Sequence, residues 1–317
     1  MLAESENVLA VVGPTASGKT RLAVELCKRF DGEVVSCDSM QIYNDMRIAT
    51  AAPTEEEMQG IKHHLICFAD PSDEFSVKRY CELANNCIDD IIRRGKVPVI
   101  AGGTGLYFSS LIDNIQFSDE ETDGEYRRYL KQRAENEGAQ ILLDELYEID
   151  PETADTLHVN NVGRIIRALE IYHNTGITMS ENKRLSKLKG SIYNPFIIGL
   201  DAENRDYLYN RINARVDRMV EDGLVEEANN YYGKYSGKTS VQAIGYKELK
   251  PYLDGTASLE ECLEQLKLST RRYAKRQLTW FRKDTRVHFL MIDKYKSPDS
   301  LTEAAVSLIK EGDMFEP

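Results

Sequence analysis

The chain predicts an α/β fold: a parallel sheet flanked by helices and interrupted by an all-helical insertion. A glycine-rich segment, Gly13-Pro14-Thr15-Ala16-Ser17-Gly18-Lys19-Thr20, stands between an apolar run and a helical pattern. The first hundred residues alternate strand-like and helix-like stretches, which implies parallel strands joined by crossover helices. From about residue 117 to about 188 there is no strand pattern, and strands resume only afterwards.

Val8-Leu9-Ala10-Val11-Val12 reads as a buried strand, and Arg21-Leu22-Ala23-Val24-Glu25-Leu26 opens a helix. Gly32-Glu33-Val34-Val35-Ser36-Cys37-Asp38 is a second strand and His64-Leu65-Ile66-Cys67-Phe68 a candidate third. Ser76 is a helix cap, with the helix running to Arg94 and Gly95 as its stop. Lys96-Val97-Pro98-Val99-Ile100-Ala101 is a strand ending in Gly102-Gly103-Thr104-Gly105. Helical patterns follow at 126–137, 139–147 and 162–172, punctuated by Pro151 and Gly176. The basic, polar stretch 183–190 reads as a mobile link. Pro195-Phe196-Ile197-Ile198-Gly199-Leu200 resumes the sheet, long helices are expected at 204–221 and 258–282, and Val287-His288-Phe289-Leu290-Met291-Ile292 is the last strand before a closing helix. The core is therefore 1–116 with 189–317, and the helical insertion is 117–188.

A chain of 317 residues can bury one large core or two smaller ones. No apolar stretch approaches a membrane span, and the acidic, polar start from Met1 to Asn7 is no secretory signal. Cys27, Cys37, Cys67, Cys81, Cys87 and Cys262 are scattered without a C-x-x-C pair, as expected of reduced thiols in a cytoplasmic protein. His63 and His64 are adjacent rather than at ligand spacing, which argues against zinc. The net charge of −12 argues against nucleic acid only if charge is evenly spread. It is not. Lys267, Arg271, Arg272, Lys275, Arg276, Arg282, Lys283 and Arg286 share one short stretch with a single acid, Asp284. Acids gather elsewhere, as in Glu55-Glu56-Glu57 and Asp119-Glu120-Glu121. A basic strip on an acidic body suits a polyanion that docks in one place.

The segment Gly13–Thr20 fits G-x-x-x-x-G-K-[ST], the phosphate-cradling P-loop. Its glycines permit close phosphate approach, Lys19 places charge on the outer phosphates, and Thr20 offers a hydroxyl to Mg²⁺. Asp38 reads either as a cap or second-shell Mg²⁺ partner, or as a general base beside the reacting centre. Thr104 either caps the next helix or points its hydroxyl at the ligand. The strand before it ends in Gly-Gly-Thr rather than an acid, which weakens a nucleotide-hydrolase reading. Arg164 with Arg167, and Arg211 with Arg215, share helix faces. The stretch 270–282 interleaves cations with aromatics, as single-stranded RNA requires. Trp280, the only tryptophan, also suits packing.

These pieces, with Asp38-Ser39-Met40-Gln41-Ile42-Tyr43, Gly102-Gly103-Thr104-Gly105-Leu106-Tyr107, Arg164-Ile165-Ile166-Arg167-Ala168-Leu169-Glu170, Gln242-Ala243-Ile244-Gly245-Tyr246 and Lys275-Arg276-Gln277-Leu278-Thr279-Trp280-Phe281-Arg282, closely resemble the tRNA dimethylallyltransferases. The resemblance spans nearly the whole chain in the family's order, and is to the bacterial form, which lacks the zinc-finger extension of eukaryotic relatives. It implies a P-loop NTPase-like fold, a monomer, and transfer of a dimethylallyl group from dimethylallyl diphosphate to N6 of adenine 37, beside the anticodon of tRNAs reading codons that begin with U. It implies Asp38 as general base, with Thr104 near the amine and Lys19, Arg215 and Mg²⁺ through Thr20 on the leaving diphosphate. Arg211 is set aside in favour of Arg215. RNA contacts are implied at Asp38, Ser39, Met40, Gln41, Thr104, Arg127, Gly163, Arg164, Arg167, Gln242, Gly245, Tyr246, Lys275, Arg276, Gln277, Trp280 and Arg282. The rival readings are a small-molecule or nucleoside kinase using ATP, a prenyltransferase acting on free adenylate, and a non-catalytic nucleic-acid-binding protein.

Overall fold

A computed structural model of the chain describes residues 5–117, 124–237 and 239–315. The acidic cluster Asp119-Glu120-Glu121, at the start of the insertion, and the first residues of the N-terminus lie outside the described residues. The chain forms two compact units, Met1–Ile112 with Ser191–Pro317, and Asp113–Gly190.

The larger unit begins with β1 (Glu6–Val12), α1 (Lys19–Arg29), β2 (Gly32–Ser36), the single-turn helices α2 (Arg47–Thr50) and α3 (Glu55–Met58), and β3 (His63–His64). It continues through α4 (Val77–Arg93), β4 (Val97–Gly102) and α5 (Gly105–Ile112). Val8 to Val12 are buried, the near-continuous apolar run of a strand covered on both faces. The Ser76 hydroxyl accepts from Arg79 N–H and starts α4. The candidate strand 64–68 is cut to His63–His64, because Leu65 and Cys67 take positive φ values of 61° and 48° and leave the sheet.

The second unit is α6 (Gly124–Asn136), α7 (Ala139–Ile149), α8 (Pro151–Ala154), α9 (Val162–Thr175) and α10 (Met179–Leu185). Leu130, Leu142, Leu146, Ile165, Ile166 and Leu169 form its own core. The stretch read as a mobile link is partly ordered by α10, whose Thr178 cap accepts from Glu181 N–H.

The chain returns through β5 (Tyr193–Asp201), α11 (Arg205–Glu221), α12 (Leu224–Lys234), α13 (Tyr246–Leu253), α14 (Leu259–Phe281), β6 (Val287–Met291) and α15 (Pro298–Glu311). A capping box between Ser258 and Glu261 starts α14. The helices α12 and α13 carry no expectation from the sequence. The six strands are all parallel in the order β3-β2-β4-β1-β5-β6. Among the described residues no helix is long and apolar enough to cross a membrane, and the six cysteines are free thiols.

Parallel strands send every carboxyl end to one edge, where such sheets bind ligands. At that edge the ends of β4 and β2 close tightly: a Cβ on Gly102 would run into the Cys37 backbone. Gly102→Ala therefore forces two adjacent strand ends apart and is expected to cost about 2–3 kcal/mol. Urea unfolding followed by fluorescence of Trp280, the single tryptophan, measures it.

Candidate active site

The first β-strand delivers the phosphate loop. Gly13 has φ 142°, and a Cβ there would lie 2.5 Å from the Leu200 carbonyl oxygen of β5, so only glycine lets the loop pass. Ala16 and Gly18 have φ values of 62° and 98°. Left-handed residues alternating with ordinary ones turn successive N–H groups to one side, forming an anion nest. The helix α1 starts at Gly18 with no side-chain cap, so its N-terminal donors remain for a ligand.

Three cations converge on this loop. The Lys19 ammonium donates to the Pro14 carbonyl at 2.7 Å. From α11, Arg215 donates to the Thr15 hydroxyl at 3.2 Å, and Arg211 donates through Nε to the Ala16 carbonyl at 2.8 Å. Arg211, set aside in the sequence, thus reaches the loop as Arg215 does. The i, i+4 spacing of the pair was the signal for it. Burial, reinforced by Arg215 and opposed by Asp38, lowers the Lys19 pKa to about 8. Burial also lowers that of Arg215.

Asp38 lies two residues beyond β2, which ends at Ser36. In the sheet β4 lies between β2 and β1. Asp38 nevertheless faces the same edge, within the electrostatic reach of Lys19. Its Oδ1 accepts the N–H groups of Met40 at 2.9 Å and Gln41 at 3.3 Å. Oδ2 accepts none among the described residues. One oxygen builds the turn and the other is available for chemistry. Gln41 in turn donates to the carbonyls of Thr50 and Ala51.

From the adjacent strand end, the Thr104 hydroxyl accepts from Ser39 N–H at 3.0 Å. Tyr273 of α14 lies beside the same hydroxyl; burial and then Asp38 raise its phenol pKa, and Thr104 opposes them. Asp38, Ser39, Thr104 and Tyr273 thus form one polar group, and Tyr273 was missed in the sequence because it reads as one more aromatic in a basic helix.

Part of the expected RNA surface is differently placed. Tyr246 is fully buried, its hydroxyl donating to Glu227 at 3.0 Å, and Gly245 packs beneath it against Ala49. Gln277 is 5% exposed and turned inward. Neither Tyr246 nor Gln277 offers its side chain to a macromolecule. Arg282 is bound by Asp201, a buried carboxylate at the end of β5, at 2.6 and 2.9 Å. Lys267 pairs with Asp217 and Glu264, and Arg286 with Asp284. Arg272, Lys275 and Arg276 remain exposed on α14, with Arg276 over the Tyr273 ring. Trp280 packs as expected: its indole N–H donates to Ser109 at 2.9 Å and its ring covers Gly105, while 41% of it stays exposed.

In the second unit, Gly163 and Arg164 are exposed. Arg127 and Arg167 flank Glu170, a carboxylate with no solvent exposure, at 3.5 and 4.0 Å. The sequence marked the two arginines without revealing this shared acid.

A phosphate loop after a central parallel strand, with cations from a neighbouring helix and a half-free carboxylate on the same edge, defines a P-loop NTPase-like protein acting on a phosphorylated substrate. The family described as IPP transferase matches residues 41–284, and that described as isopentenyl transferase matches residues 6–75. The chain is 50% identical over 302 residues to a tRNA dimethylallyltransferase of Caldanaerobacter subterraneus subsp. tengcongensis, covering 94% of this chain and 95% of that one. A solved tRNA isopentenylpyrophosphate transferase from Bacillus halodurans is 45% identical with a TM-score of 0.72, covering 98% of this chain and 97% of that one. A solved eukaryotic dimethylallyltransferase acting on tRNA is 30% identical with a TM-score of 0.81, covering 98% and 80%. The chain belongs to the tRNA dimethylallyltransferase family of prenyl-transferring enzymes.

Lys19 binds an anion only when protonated, so pyrophosphate affinity is expected to fall roughly tenfold per pH unit above about 8, until the bound-state pKa is reached. For folding the sign is opposite. A lysine pKa lowered from 10.5 means that the unfolded chain holds more protons between about 8 and 10.5, so this group's contribution to stability rises with pH there. Lys19→Met is expected to raise the melting temperature of the free protein at neutral pH while abolishing pyrophosphate binding, as calorimetry would show. In the second unit, replacing both Arg127 and Arg167 by alanine strips these cations from Glu170 and is expected to cost about 3 kcal/mol. Adding Glu170→Gln should recover most of that loss in urea melts followed by circular dichroism.

Proposed function

We propose that the protein transfers a dimethylallyl group from dimethylallyl diphosphate to N6 of adenine 37 in tRNAs that read codons beginning with U, acting as a monomer and releasing diphosphate. The observation that carries this reading is the convergence, on one sheet edge, of a three-cation phosphate loop, the half-free Asp38 carboxylate and a helix with exposed cations beside aromatics.

The diphosphate lies in the nest from Gly13 to Thr20. Lys19, Arg215 and Arg211 stabilise the charge that builds on it as the donor's C1–O bond breaks. Thr20 is the residue that would hold Mg²⁺. Among the described residues no group of three or more His, Cys, Asp or Glu side chains is placed for a metal. That donor set fits an ion held mainly by phosphate oxygens and water, as Mg²⁺ prefers. When bound there, the ion neutralises part of the leaving group's charge.

The acceptor amine is a weak nucleophile because its lone pair is delocalised into the adenine ring. Oδ2 of Asp38 accepts a hydrogen bond from it and takes its proton as the N6–C1 bond forms. Thr104, held by the Ser39 N–H, stands beside the amine. To reach this edge the base leaves its stack. Exposed Arg272, Lys275 and Arg276 meet backbone phosphates of the anticodon stem-loop. Ser39, Met40, Gln242 and Trp280 are further contacts, with Arg127, Gly163, Arg164 and Arg167 on the helical unit. A kinase chemistry is not favoured, since β4 ends in a glycine turn rather than an acid.

Incubation with labelled dimethylallyl diphosphate, Mg²⁺ and either tRNA or AMP tests the reading. Label is expected in tRNA and not in AMP, and label in AMP alone would refute it. Asp38→Asn keeps the Oδ1 acceptor of the turn but removes the base. It should retain tRNA binding while lowering single-turnover transfer by about a hundredfold to ten-thousandfold.

A further inference from the structure

The inward face of α14 carries Tyr273, Gln277 and Trp280 at i, i+4 and i+7, and all three engage the edge just described. Gln277 has the most constrained position. Its Oε1 accepts the Thr15 N–H of the phosphate loop at 2.9 Å, and its Nε2 donates to the Gly103 carbonyl at 3.0 Å. One partner can only donate and the other can only accept, so the amide orientation is determined by chemistry. Gly103 has no room for a Cβ because the Gln277 amide occupies that space. A single buried side chain therefore spans the loop after β1 and the turn after β4, immediately before Thr104. The next residues along the helix toward its N-terminus, Arg276 and Lys275, face outward.

We propose that Gln277 is a positioning residue, which sets the separation between the diphosphate loop and the Thr104 turn and ties that spacing to the RNA-facing helix. The inference rests on the transferase reading above. In-line attack at C1 needs the amine and the leaving oxygen in register, and a displacement of about 1 Å can cost about a hundredfold in rate. The two bonds of Gln277 connect the two halves that must keep this register. A role in merely filling space predicts the same behaviour from any side chain of similar volume.

Gln277→Met keeps the volume and removes both bonds. With both substrates saturating, its single-turnover transfer rate is expected to fall at least about tenfold below wild type. Affinities for inorganic pyrophosphate and for the anticodon stem-loop should stay within about threefold, and the melting temperature should fall by a few degrees because the Thr15 N–H and the Gly103 carbonyl lose their partner. An unchanged rate, or a rate loss matched by equal loss of pyrophosphate affinity, would overturn the proposal. If the methionine variant fails to fold, Gln277→Glu replaces it. A carboxylate there accepts from Thr15 but opposes the Gly103 carbonyl, while its protonated form restores both bonds. Its rate relative to wild type should then rise as pH falls, and a flat ratio would count against the proposal. Wild type is assayed alongside: absence of transfer by wild type defeats the functional reading, whereas a defective variant beside an active wild type reports on Gln277 alone.

Discussion

Placing Lys19, Arg211 and Arg215 around one turn of backbone is electrostatically unfavourable, and much of the larger unit is organised to hold them there. Each is tethered to the loop itself: Lys19 to Pro14, Arg211 to Ala16 and Arg215 to Thr15. The partners are neutral carbonyls and a hydroxyl, which fix position without cancelling charge. The lowered pKa of Lys19 shows the strain, since burial and Arg215 both work against its proton. On the proposed reading a diphosphate would supply the missing counter-charge, so the same repulsion that weakens the free site would strengthen its attraction for the donor. Asp38, the nearby acid that offsets Lys19, is also the group proposed to accept the amine's proton.

The helix α14 joins this cationic loop to the exposed cations proposed to meet RNA. Its polar sequence reads as one basic strip, but the structure divides it by face. Lys267 and Arg282 are neutralised by Asp217, Glu264 and the buried Asp201. Gln277 and Trp280 bind the phosphate loop and Ser109, and Tyr273 lies beside Thr104. Arg272, Lys275 and Arg276 alone on the helix's second half keep both charge and exposure. A strongly acidic protein can thus present a small cationic face, because long-range repulsion from the acidic body is screened within about 10 Å at ordinary salt.

The phosphate loop, Asp38, Thr104 and the all-parallel sheet were legible because each rests on local pattern: a glycine spacing, a strand end, an alternation of periods. The start of α4 followed from Ser76, and in the structure Asn204 and Ser258 cap α11 and α14 in the same way, by bonding their own neighbours. What escaped depends on contacts distant in sequence. Strand order put β4 between β2 and β1, which no local signal specifies. Tyr246 looked like an RNA contact within a motif, yet its ring is buried and its hydroxyl bonded to Glu227. Glu170 passed as one more helix residue, and only the fold brings Arg127 from another helix to it.

The same distinction explains the absence of an acid at the end of β4. In a sheet of this order that position lies beside the phosphate loop, where a nucleotide hydrolase uses a carboxylate for its metal. Here the turn is Gly102-Gly103-Thr104-Gly105, and the space that side chains would occupy at Gly103 and Gly105 is filled by Gln277 and Trp280. The glycines are therefore a steric counterpart to α14, not only a flexible turn. A larger residue at Gly103 would displace the amide that spans the two loops, and one at Gly105 would lift the indole from its seat. At this strand end a wall that belongs to α14 stands where a metal-binding acid would be. That arrangement suits a reaction in which the phosphates leave and the acceptor is a base carried on a large polyanion.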